Sequence, residues 1–240
     1  MQEMNIFQGT LKVESIETVA RDTKKFRFAV LQSTPLVPCE EAFTYQPGHF
    51  LSLKFTDTAW RAYSIASHPD ETLIEFVVKY VENGTASKKF WETKVGDEFE
   101  FKGPFGDLRL STNTDTHLVF CATGTGIAPF RSMILEEVKH PSPRKMTLLY
   151  GGKTANDLSY LDEIKTWAPN LNVKLGLSRE ESTKTELPWE ACRITKFLEE
   201  GTWENTEFYI CGSGSMVKSV NELLETKEIP KDKIFMERFN

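Results

Sequence analysis

Residues 117–140 read HLVFCATGTGIAPFRSMILEEVKH. A continuous apolar run of strand length ends at two glycines one residue apart, and a segment with helical spacing of apolar residues follows. A strand apolar on both faces, a tight turn and a covering helix form one βα unit. The unit recurs to the chain end. KMTLLYGG (145–152) precedes DLSYLDEIKTWA (157–168), NVKLGLSRE (172–180) precedes ACRITKFLEE (191–200), and EFYICGSG (207–214) precedes SMVKSVNELLETK (215–227). KIFMERF (233–239) comes last. Five strands alternating with helices predict an α/β domain over residues 111–240, built on a five-stranded parallel sheet.

Toward the N-terminus the period shortens to two. FQGTLKVESIET (7–18), KKFRFAV (24–30), FLSLKFT (50–56), RAYSIAS (61–67), LIEFVVKYV (73–81) and DEFEFKG (97–103) alternate apolar and polar residues, as half-buried strands do. The turn signals QPG, HPDE and VGDE fall between them. Only TASKKFWETK (85–94) has helical spacing. Residues 1–110 therefore predict an antiparallel β-barrel, and the polar stretch LRLSTNTDT (108–116) marks the boundary.

With 240 residues, 40% of them hydrophobic, the chain is long enough to bury a sizeable core in each half. No run approaches the ~20 apolar residues that span a bilayer, and the first residues lack a secretory pattern. A cytoplasmic location without membrane insertion is the expectation. The net charge of −6 is shared between the halves and argues against a nucleic-acid surface, which needs a basic stripe. A local basic patch for an acidic protein partner stays open. Cys39, Cys121, Cys192 and Cys211 are too far apart for metal-ligand or iron–sulfur spacing. The first three are read as structural thiols, and no metal site is expected.

The chemistry is expected where strands end, because a doubly wound sheet binds ligands beyond the carboxyl ends of its strands. In ATGTGIAPF, Gly124 and Gly126 let a backbone approach a pyrophosphate, and a helix starting near Pro129 offers free N–H groups. The pattern is GxGxxP rather than GxGxxG, and a plain strand-to-helix turn accounts for it equally well. Ser178 and Arg179 in LSRE, and Cys211, Gly212 and Gly214 in CGSGSM, lie past two further strands. Arg179 forks onto a phosphate or is a solvated loop charge. In RAYSIAS, Arg61 and Tyr63 share one strand face and Ser64 takes the other. A cation, a flat ring and a hydroxyl suit a flavin nucleotide, although a plain strand with an exposed arginine fits too. NGTAS (83–87) opens the helical segment, with Thr85 or Ser87 placed to cap it.

These motifs in this order, with GPFG, YGGKTANDLSYLDE and YICG, resemble the ferredoxin–NADP reductase superfamily over essentially the whole chain. The resemblance implies a flavin-holding barrel followed by a domain for a nicotinamide dinucleotide. By that likeness Arg61 binds the flavin pyrophosphate, Ala62 sits within the same contact strand, Tyr63 stacks on the isoalloxazine, and Ser64 hydrogen-bonds its N5. Lys79 falls near the ring's polar edge. Gly84, Thr85, Ala86 and Ser87 hold the FAD diphosphate. Gly124, Thr125 and Gly126 receive the dinucleotide pyrophosphate. Ser178, Arg179 and Arg193 face the NADP 2′-phosphate with help from Lys184, NAD being the other possibility beside Glu180 and Glu181. Cys211 and Gly212 border the nicotinamide. Glu237 and Phe239 match the family's terminal carboxylate and aromatic, Phe239 stacking on the flavin or else capping the core.

Two departures stand out: His49 replaces a common glutamine in PGHF, and Asn240 follows the terminal aromatic. Ser64, Cys211 and Glu237 are the expected catalytic set. The implied activity is hydride transfer between NADPH and FAD, with single electrons passed to ferredoxin or flavodoxin by a monomer lacking an iron–sulfur domain. The alternatives are an NADH-preferring oxygenase reductase, a non-catalytic electron-transfer subunit, and a flavin-free dehydrogenase, which leaves the barrel half unexplained.

Overall fold

The computed structural model describes residues 5–182 and 185–239, the last of them by its backbone alone. The N-terminal half is an antiparallel six-stranded sheet of β1 (Phe7–Ala20), β2 (Thr23–Pro35), β3 (Phe50–Lys54), β4 (Trp60–Ser64), β5 (Ile74–Lys79) and β6 (Glu98–Phe105), in the order β4-β3-β6-β1-β2-β5. All six predicted strands are present. Their inward residues meet in a core dominated by phenylalanine: Phe26, Phe28, Phe76, Phe90, Phe99 and Phe101. Phe90 comes from α1 (Thr85–Glu92), which closes one end of the barrel and stacks on Phe99 with ring centroids 5.2 Å apart.

The C-terminal half is wholly parallel. Its strands are β7 (His117–Thr123), β8 (Met146–Gly152), β9 (Leu171–Leu177), β10 (Trp189–Glu190), β11 (Thr206–Ser213) and β12 (Ile234–Phe239), in the order β10-β9-β8-β7-β11-β12. The sheet has six strands rather than the expected five. The added strand, β10, is two residues long and pairs Trp189 with Leu175, too short to leave any period in the sequence. Alternation along β7 sends Leu118, Phe120 and Ala122 to one face, under α2 (Ile127–Glu137) and α3 (Leu161–Trp167). Val119 and Cys121 go to the other, under α4 (Thr195–Glu200) and α5 (Gly214–Thr226).

From β7 the chain winds outward through β8 to β10, then returns to β11 on the other side of β7. The order reverses between β7 and β11, the place beyond whose strand ends sheets of this kind bind their ligands. The two halves also share apolar packing, since Ala66 and Val77 of the first join the α2-side core of the second.

Candidate functional site

The turn at the switch point is held open by backbone geometry. Gly124 has φ +55°, and nothing lies within 4 Å of where its Cβ would be. Gly126 is the opposite case: a Cβ there would sit 2.1 Å from the Cys211 carbonyl oxygen. Gly212, at φ +147°, would bring a Cβ 2.4 Å from Thr123 Oγ1. The ends of β7 and β11 thus touch backbone to backbone, and only glycine allows it. Residues 124–126 form a single 3-10 turn and α2 starts at Ile127, two residues before Pro129. Pro129 is in the first helical turn, where its missing N–H costs no hydrogen bond. The Gly124 carbonyl accepts from the Tyr150 hydroxyl at 2.9 Å, which steadies the turn.

Cys211 is buried, and burial pushes its thiol well above the ordinary range, with Glu237 adding to the shift. It pairs with Glu237 across β11 and β12, as Ser213 pairs with Phe239. The Phe239 side chain, and with it the choice between flavin stacking and core capping, lies outside the described residues.

Glu237 reaches the other half of the molecule. Ser64 Oγ donates to Glu237 Oε1 at 3.2 Å. Ser64 is buried on the face opposite Arg61, as alternation requires, while Tyr63 is half-buried among Phe55, Phe76 and Phe90. Burial raises the Tyr63 phenol above its usual range. Burial also raises the Glu237 carboxyl, an effect the Ser64 hydrogen bond partly offsets. Arg61 and Ala62 are exposed, and the Arg61 guanidinium folds onto the Trp60 carbonyl.

At α1 the cap is Gly84, and neither Thr85 nor Ser87 caps the helix by a side chain. Ser87 Oγ instead donates to the Val81 carbonyl at 2.8 Å and accepts from the Val81 N–H. The expected capping role is therefore corrected: Ser87 braces the preceding loop, leaving the first-turn N–H groups without a side-chain cap. Gly84, Thr85, Lys88 and Lys89 border an open groove of about 890 Å³ that extends to Phe55 and Tyr80. Lys79 is exposed where β5 ends.

At the far end of the sheet, Ser178, Arg179 and Arg193 are all exposed. The Arg193 carbonyl carbon would lie 3.2 Å from a Cβ at Gly176, so both arginines leave the same sheet corner. Lys153, part of the YGGKTANDLSYLDE motif but not among the expected site residues, joins them: its carbonyl accepts from the Arg179 N–H at 2.8 Å. It follows the β8 end in YGGK, and treating every strand end alike would have found it. Glu180 Oε2 accepts from the Ala155 N–H at 2.9 Å. Lys184 lies outside the described residues. His49 is buried, its Nδ1 accepting from the Gln46 N–H, and Nε2 has no partner among the described residues. The four cysteines are free thiols.

The residues fit the groups that the sequence motifs imply. Gly124 leaves an open cradle at a helix start, and α1 presents a second helix start beside a groove.

Comparison with known proteins agrees with this geometry. Residues 10–110 match the family described as "Oxidoreductase FAD-binding domain", and residues 120–222 match "Oxidoreductase NAD-binding domain". Each half is thus an oxidoreductase domain of a flavin–nicotinamide pair. The chain belongs to the ferredoxin–NADP reductase superfamily. It is 30% identical over 210 residues to a subunit of the Na(+)-translocating NADH-quinone reductase of Neisseria gonorrhoeae, covering 78% of this chain and 50% of that protein. It is 28% identical over 245 residues to the propane 2-monooxygenase reductase component of Mycolicibacterium goodii, covering 96% and 69%. The crystal structure of a ferredoxin NADP+ reductase from Neisseria gonorrhoeae with bound FAD and NADP superposes with a TM-score of 0.80, at 22% identity over 96% of this chain and 98% of that one. The chain spans about half the length of the quinone-reductase relatives it matches. No helix among the described residues is long and apolar enough to cross a membrane.

Proposed function

We propose that this chain is an NADPH-dependent FAD reductase that passes electrons singly to a carrier protein of the ferredoxin or flavodoxin kind, in the cytoplasm and as a monomer. The supporting observation is the Ser64–Glu237 hydrogen bond, which joins the flavin strand of one half to the terminal strand of the other, one strand beyond the switch point. Bound FAD would supply the two-electron to one-electron conversion, taking a hydride from the nicotinamide.

The protein's residues bind, orient and hold protons. In this reading residues 1–110 form the FAD domain and residues 111–240 the nicotinamide domain. Arg61 and the α1 start, with Gly84, Thr85, Ala86 and Ser87, hold the two phosphates of FAD, while Tyr63 and Lys79 flank the ring. Gly124, Thr125 and Gly126 receive the dinucleotide pyrophosphate, and Cys211 and Gly212 border its nicotinamide. The raised carboxyl of Glu237 keeps a proton to higher pH than an ordinary glutamate, and it accepts a hydrogen bond from Ser64 Oγ beside the reacting centre.

The preference for NADPH rests on the three cations Lys153, Arg179 and Arg193, together with Ser178, at one sheet corner, and on Glu180 being engaged by the Ala155 N–H. A site for NAD needs a free carboxylate for the ribose 2′-hydroxyl. Exposed Glu181 and the name of the NADH-quinone reductase relatives favour NADH as the second reading. Chromatography of the flavin released from purified protein tests the first element. One FAD per chain is expected; FMN alone contradicts the assignment at α1, and a colourless chain that no flavin reconstitutes contradicts the whole reading.

A further inference from the structure

Helix α2 begins at the dinucleotide turn, and one turn further on it grips the chain that leaves the flavin strand. Arg131 Nη1 donates to the Ala66 carbonyl at 2.9 Å and to Glu71 Oε1 at 2.7 Å. Ser132 Oγ donates to the Ser67 carbonyl at 2.7 Å. Both side chains are buried, Ser132 completely. Residues 66 and 67 are held from their own half as well: the Ala66 N–H donates to the Glu75 carbonyl at 2.8 Å, and Ser67 Oγ accepts from the Glu75 N–H at 3.0 Å. Glu75 is in turn bound by Arg27 Nε at 2.7 Å and by the Tyr160 hydroxyl at 2.5 Å.

The path between the half-sites is short. From Gly126 to Arg131 is five residues, ~7.5 Å of helical rise, and Ala66 stands only two residues past Ser64. Any slip of α2 against residues 66–67 changes the spacing between the Gly124–Gly126 turn and the Tyr63–Ser64 strand end. A misplacement of ~1 Å between reacting groups costs up to ~100-fold in rate.

We propose that Arg131 and Ser132 are positioning residues that set the spacing between the nicotinamide and flavin half-sites. The inference rests on the reductase reading above. It differs from a general cohesive role, which belongs to the Tyr160 hydroxyl: it joins the same two halves through the Glu75 carboxylate and does not itself touch residues 66 and 67. A cohesive contact lowers melting temperature and leaves the transfer rate alone. A positioning contact lowers the rate and leaves cofactor affinity alone.

Three variants of the full chain separate the two. Ser132→Ala deletes one hydrogen bond with little change in volume. Arg131→Lys keeps a positive charge but loses the planar guanidinium whose single Nη1 bridges the Ala66 carbonyl and Glu71. Tyr160→Phe is the cohesive comparator. Stopped-flow reduction at saturating NADPH is expected to slow about tenfold in the first two variants, with FAD content unchanged and the NADPH dissociation constant within about twofold of wild type. In flavin-free protein, amide hydrogen exchange at residues 65–68 is expected to accelerate in both. Tyr160→Phe is expected to melt lower and reduce at the wild-type rate. Wild-type rates in both Ser132→Ala and Arg131→Lys overturn the proposal, as does an equal slowing by Tyr160→Phe. If Arg131→Lys does not fold, Ser132→Ala decides. If neither NADPH nor NADH reduces the wild type, the reductase reading fails, and the exchange rates of the flavin-free protein still decide whether Arg131 and Ser132 hold residues 65–68.

Discussion

Half-buried Glu237 and buried His49 are titratable residues whose pKa values move in opposite directions, and each makes stability depend on pH with its own sign. Burial raises the Glu237 carboxyl above its ordinary value. The stability tied to its proton is therefore full below pH 4.5 and is lost as pH rises through the raised value. Glu237→Gln, which cannot ionise, should melt higher than wild type at about pH 8 and equally at about pH 4. A melting difference that is constant across that range contradicts a raised carboxyl. Burial, helped by the Arg109 charge, lowers His49 from 6.5 to about 4. Its contribution is full above pH 6.5 and is lost as pH falls toward 4. Urea unfolding should show wild type losing on the order of 3 kcal/mol more than His49→Gln between about pH 7 and about pH 4; parallel curves exclude the depressed histidine. Arg179 is exposed at the cationic corner, so it costs little to remove from the fold. A hydrogen bond to a charged group contributes ~1.5–3 kcal/mol, so Arg179→Ala should raise the Michaelis constant for NADPH roughly ten- to a hundredfold and leave that for NADH nearly unchanged. Equal losses with both nucleotides mean that Arg179 does not read the 2′-phosphate.

At the scale of elements, the two glycines of the β7–α2 turn make separable predictions. Alanine at Gly126 collides with the Cys211 carbonyl oxygen, backbone that cannot step aside, and should destabilise the chain by ~1–3 kcal/mol. Alanine at Gly124 meets no atom and is charged only with its left-handed backbone, ~1–2 kcal/mol; its methyl group enters the open cradle. Gly124→Ala should therefore stay folded with its flavin while its NADPH dissociation constant rises at least about tenfold. Unchanged nucleotide binding in that variant shows the cradle to be a plain turn.

The elements themselves were largely legible in the sequence, because period two in the first half and buried runs with helical spacers in the second are local signals. What escaped has physical causes. Trp189–Glu190 is too short to show a period. The 3-10 turn at residues 124–126, which leads straight into α2 at Ile127, left no separate signal. Ser87 is placed as a capping residue is, yet its hydroxyl is taken by Val81, a loop contact that spacing does not reveal. Arg131 and Ser132 meet their partners 65 residues away in sequence, and no pattern within one element records such a contact.

Across the whole molecule, the two halves act as one packed body around the switch point. Ala66 and Val77 enter the core of the nicotinamide half, and Lys25 and Tyr160 carry polar contacts across the same seam. At this seam β12, beside β11, reaches the β4 strand of the other half through the Glu237–Ser64 hydrogen bond. An anaerobic titration of the flavin-loaded protein with NADPH and, separately, with NADH reads this arrangement most directly. One equivalent of NADPH should bleach the visible flavin bands, faster than NADH at equal concentration, and a one-electron acceptor should then restore them in two steps. Flavin bands that persist under excess of both nucleotides, in protein that holds its full complement of FAD, contradict hydride transfer across this seam.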